Sequence, residues 1–221
     1  MIKFWQIISF KRTVMKKIYI IRHGETQWNR EEVFRGTKDV PLNETGKKQA
    51  ERAGLYFSHM PVDRIVSSPL SRALQTAEAV SKTTNAAVDT MEEFTDMNFG
   101  IWEGLTLRDV EERFPLDFSL WKASPDKLRI ENGETLAMVR DRIRTGLANI
   151  ACGQEDTIII VTHRVICKIL VLNALEIGNE RFWDMKYDPG SITLLERNNN
   201  RHTLIFSNDT CHLDERTYLD F

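Results

Sequence analysis

The run Thr157-Ile158-Ile159-Ile160-Val161-Thr162 constrains this chain more than any other segment. Four consecutive β-branched apolar residues cannot alternate between core and water. The segment therefore reads as a central strand buried on both faces. A sheet buried on both faces needs a layer of helices on each side. That predicts an α/β protein: a three-layer α/β/α sandwich with a mainly parallel central sheet.

The remaining chain supplies matching strand–helix units. Lys17–Ile21 reads as a strand, and Leu42-Asn43-Glu44-Thr45-Gly46 opens a helix to about Phe57. Val62–Ser67 alternates like a strand, and Ser68-Pro69 reads as an N-cap with proline at the first helical position of a helix to about Thr83. Ala86–Gly100 reads as extended segment and loop, and Thr106–Phe114 as a short helix broken at Pro115. A helix from Gly133-Glu134-Thr135 to about Ile150 precedes the central strand, and an apolar helix over Arg164–Leu175 follows it. Ser191–Leu195 and Thr203–Phe206 read as a hairpin across Asn198-Asn199-Asn200.

At 221 residues, one domain with a subdomain or cap is expected. The division is an N-terminal extension over 1–14, dispensable ahead of Met15, and one domain over 15–221 with a small helical cap inserted at about 103–134. Phe4–Phe10 is too short an apolar stretch for a transmembrane helix, and no small-residue cleavage site follows it. A net charge of −2 leaves no global basic field to attract nucleic acid or a membrane surface, so any anion site must be local. Cys152, Cys167 and Cys211 are odd in number and widely spaced, which argues against a disulfide framework or a zinc site and fits a reducing cytoplasm.

Three strand ends carry polar residues where a helix or loop begins. The first ends in Arg22-His23, the second in Ser67-Ser68 with Arg72 close behind, and the central strand in Thr162-His163-Arg164. Parallel strands share one carboxyl edge, so two histidines and two arginines can converge there. Arginine forks bind phosphate oxygens bidentately. A histidine facing such a pocket would serve as nucleophile or base. Taken singly, each of these residues is more often a solvated turn or surface helix residue; their joint placement carries the argument.

The ordered set of motifs resembles the histidine phosphatase superfamily, in its phosphoglycerate mutase-like branch. It comprises Arg22-His23-Gly24-Glu25-Thr26 with Asn29, Phe34-Arg35-Gly36, Pro41–Gly46, Ser67–Ala77, Phe99–Gly104, Asn132–Thr135, Val161-Thr162-His163 and Asn208-Asp209-Thr210. The resemblance covers about Lys16 to Leu213. The tail Asn208–Leu213 is similar to the α-ribazole phosphatase group within it.

The resemblance implies a phosphatase that hydrolyses a small-molecule phosphate monoester through a phosphohistidine on His23, with no metal or cofactor. Arg22, Arg72 and His163 would bind the transferring phosphoryl group, helped by Asn29 and Arg35. The general acid, usually Glu in the family, falls on Asp96 here, with Glu93 and Glu103 in reserve; Glu103 is the weaker, since it could instead cap the helix at Thr106. Arg164 stands where many relatives carry Gly and either adds a cation to the pocket rim or points to solvent.

The implied partner is a small phosphorylated substrate, with no nucleic acid and no membrane; a homodimer is left open. Two other readings stay in view. A cofactor-dependent phosphoglycerate mutase would need a Glu-Arg-His-Tyr-Gly segment and a longer insertion, where this chain has Thr95–Gly100 and a compact cap. A non-catalytic phospho-ligand-binding module has only the Asp96 substitution in its support. Phe114, Phe118, Leu120 and Trp121 of the cap are expected mainly to pack it on the body.

Overall fold

The computed structural model describes residues 16–199 and 201–213. The expected extension over 1–14 and Asn200 of the hairpin turn lie outside them. The strands are β1 (Lys16–Arg22), β2 (Arg64–Ser67), β3 (Val88–Thr90), β4 (Thr157–Thr162), β5 (Ile192–Asn198) and β6 (Arg201–Asp209). The α-helices are α1 (Gln27–Arg30), α2 (Glu44–Phe57), α3 (Ser71–Thr84), α4 (Leu107–Arg113), α5 (Pro115–Ala123), α6 (Leu136–Ala151) and α7 (Arg164–Ala174).

One six-stranded sheet runs in the order β3-β2-β4-β1-β5-β6. The pairings β3–β2, β2–β4 and β4–β1 are parallel, whereas β1–β5 and β5–β6 are antiparallel. The sheet is therefore mixed, and the expected mainly parallel sheet holds only for its first four strands. The late hairpin causes the difference: β5 returns beside β1, and a tight turn to β6 enforces antiparallel pairing.

The isoleucine run lies at the centre as β4, with all six residues buried. Successive side chains feed opposite layers. Ile158 and Ile160 join Ile18, Ile20 and Val66 on the face covered by α6 and α7. Ile159 and Val161 join Tyr19, Ile21 and Ile65 on the face covered by α2 and α3. Burial of each isoleucine stabilises the fold by about 2 kcal/mol.

Helix α3 begins two residues later than its sequence suggests. Its N-cap is Leu70, which makes no side-chain cap bond. Asp39 Oδ1 instead accepts from the Ser71 amide at 2.8 Å. Ser68 is thereby freed for another partner, and Arg72 stands in the first turn of α3.

The segment between Trp102 and Leu136 folds as α4 and α5 with the short 3₁₀ turn Pro125–Lys127. Thr106 and Asp109 form the capping box of α4, so the expectation that Glu103 caps it is not met. Pro115 ends α4 and begins α5, a helix the sequence reading did not separate. Phe118 and Trp121 are buried, and the Trp121 ring meets Phe34, Phe99 and Phe182 at 5.4–6.3 Å between centroids. Leu120 is partly exposed.

Candidate active site

β1 and β4 are neighbours in register, with Arg22 opposite Thr162. The residues that follow each strand, His23 and His163, therefore emerge side by side. The His23 amide donates to Thr162 O at 2.9 Å. Their ring centroids stand 5.1 Å apart with planes inclined by 60°. Ser67 pairs with Val161, which brings Ser68 to the same edge.

His23 is fully buried. Its Nδ1 lies 2.6 Å from Gly24 O. A carbonyl can only accept, so Nδ1 carries the proton and Nε2 holds a lone pair. That Nε2 has no hydrogen-bond partner among the described residues. Burial, then the charges of Arg72, Arg35 and Arg22, hold the imidazole well below its ordinary pKa, so the ring is neutral at neutral pH. The turn that sets this geometry requires glycine at position 24: a Cβ there would fall 2.4 Å from Gly46 O.

The Arg72 guanidinium is divided among four acceptors. Nε donates to His163 Nδ1 at 3.2 Å, Nη1 to Lys38 O at 2.8 Å, and Nη2 to Gly36 O at 2.8 Å and Asp96 Oδ2 at 3.2 Å. An Arg Nε–H can only donate, so His163 accepts at Nδ1 and its proton sits on Nε2. That Nε2–H donates to Ser68 Oγ at 2.8 Å. Burial, then Arg72 and His23, hold His163 well below its ordinary pKa too.

Asp96 is buried beside this pair. Its Oδ2 is 3.2 Å from Arg72 Nη2 and 3.7 Å from His163 Nδ1. The loop that carries it is braced from outside. Arg142 donates to Glu93 O at 2.7 Å and to Asp96 O at 3.2 Å, while its Nε pairs with Glu134 at 2.9 Å. Thr162 Oγ1 ties the end of β4 to Phe94 O at 2.7 Å.

The two reserve acids are held elsewhere. Glu93 Oε1 accepts from Asn149 Nδ2 at 3.4 Å. Glu103 Oε1 accepts from the Thr37 amide at 2.7 Å and the Phe99 amide at 3.2 Å. The short loop-forming spacing from Phe99 to Glu103 folds that carboxylate back onto backbone amides rather than toward His23.

Arg22 and Arg35 are buried; burial and then Arg164 push Arg22 down to about 9, and burial and then Arg22 and Arg72 push Arg35 down to about 9, both still protonated at neutral pH. Arg22 Nη1 donates to Tyr187 O at 2.5 Å. Arg22 Nε, Arg35 Nε and Nη1, and Asn29 Nδ2 are buried donors with no acceptor among the described residues. Arg164 is half-buried; after burial, the charge of Arg35 acts on it most, and it acts in turn on Arg22. It faces the cationic cluster rather than solvent alone. The structure thus brings together His23, Arg22, Arg35, Arg72, His163, Asp96 and Arg164, with Asn29 on the adjoining turn.

Sequence reasoning read Ser68 as a helix N-cap rather than as the partner of His163, and gave no role to the Tyr187 carbonyl or to Thr76, whose Oγ1 accepts from the Gly24 amide at 3.2 Å. Ser68 was legible as a polar residue at a strand end; a backbone carbonyl from position 187 leaves no such signal. Among the described residues no cluster of three or more His, Cys, Asp or Glu could hold a metal ion. No helix among them is long and apolar enough to cross a membrane.

Known proteins share this arrangement of chain. Phosphoserine phosphatase 1 of Hydrogenobacter thermophilus is 31% identical over 202 residues, covering 91% of this chain and 96% of that protein. The adenosylcobalamin/α-ribazole phosphatase of Escherichia coli K12 is 26% identical over 189 residues, covering 85% and 93%. The solved structure of Bacillus stearothermophilus YhfR superposes with a TM-score of 0.85 at 28% identity, covering 89% of this chain and 98% of that one. The family model for the histidine phosphatase superfamily, branch 1, matches residues 18–210, a span that starts in β1 and closes just beyond β6. With both histidines and their arginines inside that span, the chain belongs to the histidine phosphatase superfamily, branch 1.

Proposed function

We propose that this phosphatase hydrolyses a small phosphate monoester by passing its phosphoryl group to Nε2 of His23. The observation that carries this reading is the tautomer: Gly24 O holds the proton on Nδ1 and leaves Nε2 as a buried lone pair amid donors that lack acceptors.

The Nε2 lone pair attacks phosphorus, and the bond from phosphorus to the leaving oxygen breaks. The imidazole gains positive charge, which Gly24 O at 2.6 Å offsets. The proton enters with the monoester monoanion, and Asp96 relays it to the departing oxygen. Water then attacks phosphorus; Asp96 takes its proton and returns it to the departing phosphate, which leaves as the monoanion, and Nε2 recovers its lone pair. Charge spreads over the three phosphoryl oxygens in the transition state. Arg22 Nε, Arg35 Nε and Nη1, and Asn29 Nδ2 are the donors assigned to them, with His163 Nε2–H now resting on Ser68. Fixed donors that need no reorganisation supply much of the acceleration.

The domain boundary at Met15, the cap insertion at about 103–134 and a cytoplasmic location belong to the same reading. The last is supported by Cys152, Cys167 and Cys211, which form no disulfide among the described residues. A metal-free phosphate-release screen over a panel of monoesters, with His23→Ala as control, tests the activity. Release that depends on His23 supports it. No release from any monoester would leave a phospho-ligand-binding module, and isomerised 3-phosphoglycerate on addition of 2,3-bisphosphoglycerate would make the protein a mutase.

A further inference from the structure

The edge hairpin reaches the active site through one side chain. Asp209 pairs with Ile192, and Ile192 with Ile21, so the end of β6 arrives at the same edge of the sheet as Arg22. Leu194 pairs with Phe206. Between these two pairings β5 has one residue, Thr193, where β6 has two, Ser207 and Asn208. That is a β-bulge, which takes an extra residue out of the ladder and re-aims its side chain. Asn208 carries the bend at φ +54°, a left-handed conformation that asparagine adopts more readily than most residues. Its amide donates to Thr193 Oγ1 at 3.1 Å.

The bulge grips the segment Tyr187-Asp188. Asn208 Oδ1 accepts from the Asp188 amide at 2.6 Å, and Asn208 Nδ2 donates to Asp188 Oδ2 at 2.9 Å. Ser207 Oγ donates to Tyr187 Oη at 3.2 Å. Asp188 then opens a tight turn. The Ser191 amide donates to Asp188 O at 3.0 Å, and Gly190 follows Pro189 at φ +74°, the arrangement of a type II turn. The other side of this turn holds Arg22. The Gly190 amide donates to Arg22 O at 3.0 Å and His23 O at 3.2 Å, the Arg22 amide donates to Ser191 O at 3.1 Å, and Arg22 Nη1 donates to Tyr187 O at 2.5 Å.

Asp188 adds charge to this hold. It is buried, with Lys186 Nζ 3.5 Å from its Oδ1. Burial and then Arg164 lower the pKa of Arg22; of the carboxylates that oppose them, Asp188 acts more strongly than Asp96. The guanidinium is thus fixed on the side of the turn, while its Nε has no acceptor among the described residues. A long side chain held in place beforehand does not have to be ordered when phosphate binds.

We propose that Asn208 is a positioning residue for Arg22: the bulge locks the Tyr187-Asp188 segment, and through it the guanidinium, where Nε meets a phosphoryl oxygen. This rests on the assignment of Arg22 Nε to the phosphoryl group in the phosphatase reading. Asn208 acts only through the turn.

The test is a double-mutant cycle between positions 208 and 22, read by the Kd of inorganic phosphate in calorimetry and by kcat/KM for p-nitrophenyl phosphate. Asn208→Gly removes both side-chain bonds and suits the positive φ. Asn208→Asp keeps the shape but cannot donate to Asp188, and it sets a second carboxylate against it. Each should weaken phosphate binding and lower kcat/KM about tenfold, the scale of a hydrogen bond to a charged group. In an Arg22→Ala background the same changes should cost less than about threefold, because the group they position is gone. A purely structural role would keep the full loss there. A loss of less than about threefold from either variant in the parent background, or of about threefold or more in the Arg22→Ala background, would overturn this role. A parent that binds phosphate without turning over p-nitrophenyl phosphate would defeat the phosphatase reading alone, and the phosphate Kd would still decide the role of Asn208. A parent that does neither would defeat both.

Discussion

His23 and His163 stand 5.1 Å apart and carry their protons on opposite nitrogens. Gly24 O holds the proton of His23 on Nδ1, and Arg72 Nε–H forces that of His163 onto Nε2. One ring therefore offers a lone pair and the other a donor, as a nucleophile and a phosphoryl-oxygen clamp require. Ser68 Oγ keeps the His163 donor occupied at 2.8 Å. Ser68→Ala leaves that buried N–H without its acceptor, a loss of about 1–3 kcal/mol. The expected result is a kcat lowered about 10-fold to 100-fold, read by steady-state kinetics, with a lowered melting temperature. A variant within twofold of the parent would remove Ser68 from the account.

Asp96→Asn separates proton transfer from phosphate binding. The amide keeps the shape and can still accept from Arg72, but it cannot relay a proton. Turnover of alkyl phosphates should fall about 100-fold or more, while p-nitrophenyl phosphate, whose leaving group needs little protonation, should lose far less. An equal loss on both substrates would assign Asp96 to holding Arg72 and His163 alone.

Glu103 predicts the opposite pattern. It pins the Thr37 amide, and the flanking carbonyls of Gly36 and Lys38 hold Arg72. Gly36 is at φ +51°, so the turn is strained for any other residue. Glu103→Ala should lower kcat/KM about 10-fold to 100-fold on good and poor leaving groups alike, since it releases the loop rather than a proton. A selective loss on poor leaving groups would restore Glu103 as an acid.

Both buried histidines have pKa values held below that of an unfolded histidine, about 6.5. The unfolded chain therefore binds more protons than the native one as pH falls through that value. Stability should decline below about pH 6.5, by up to about 1.4 kcal/mol per pH unit for each histidine. Urea unfolding at pH 7.5, 6.5 and 5.5 checks this; stability that is flat or rises toward pH 5.5 would contradict the neutral assignment of both rings.

Much of this was legible in the sequence because it is periodic or local. The isoleucine run at β4, the helical layer on each of its faces, and the placement of His23 and His163 at strand ends all follow from side-chain pattern; that β1 and β4 are neighbours does not. What stayed hidden depends on contacts between distant segments. Asp39 displaced the apparent cap at Ser68, and the Glu103 carboxylate met the amide at position 37, a contact no local pattern announces. The antiparallel edge formed because the return of β5 beside β1 is a matter of topology, not of local pattern. Lys168 drew no reading within the apolar helix at Arg164–Leu175, because the two aromatic rings laid over it come from the distant turn at Asn179–Asp184.

The central claim is a covalent bond between phosphorus and Nε2 of His23. Rapid mixing with p-nitrophenyl [³²P]phosphate, an alkaline quench and peptide mapping test it directly. The account predicts a label that approaches one per chain on the peptide carrying His23, stable to alkali and lost in acid, and absent from His23→Ala. Phosphate release with no trapped label, or a label that persists in His23→Ala, would contradict it.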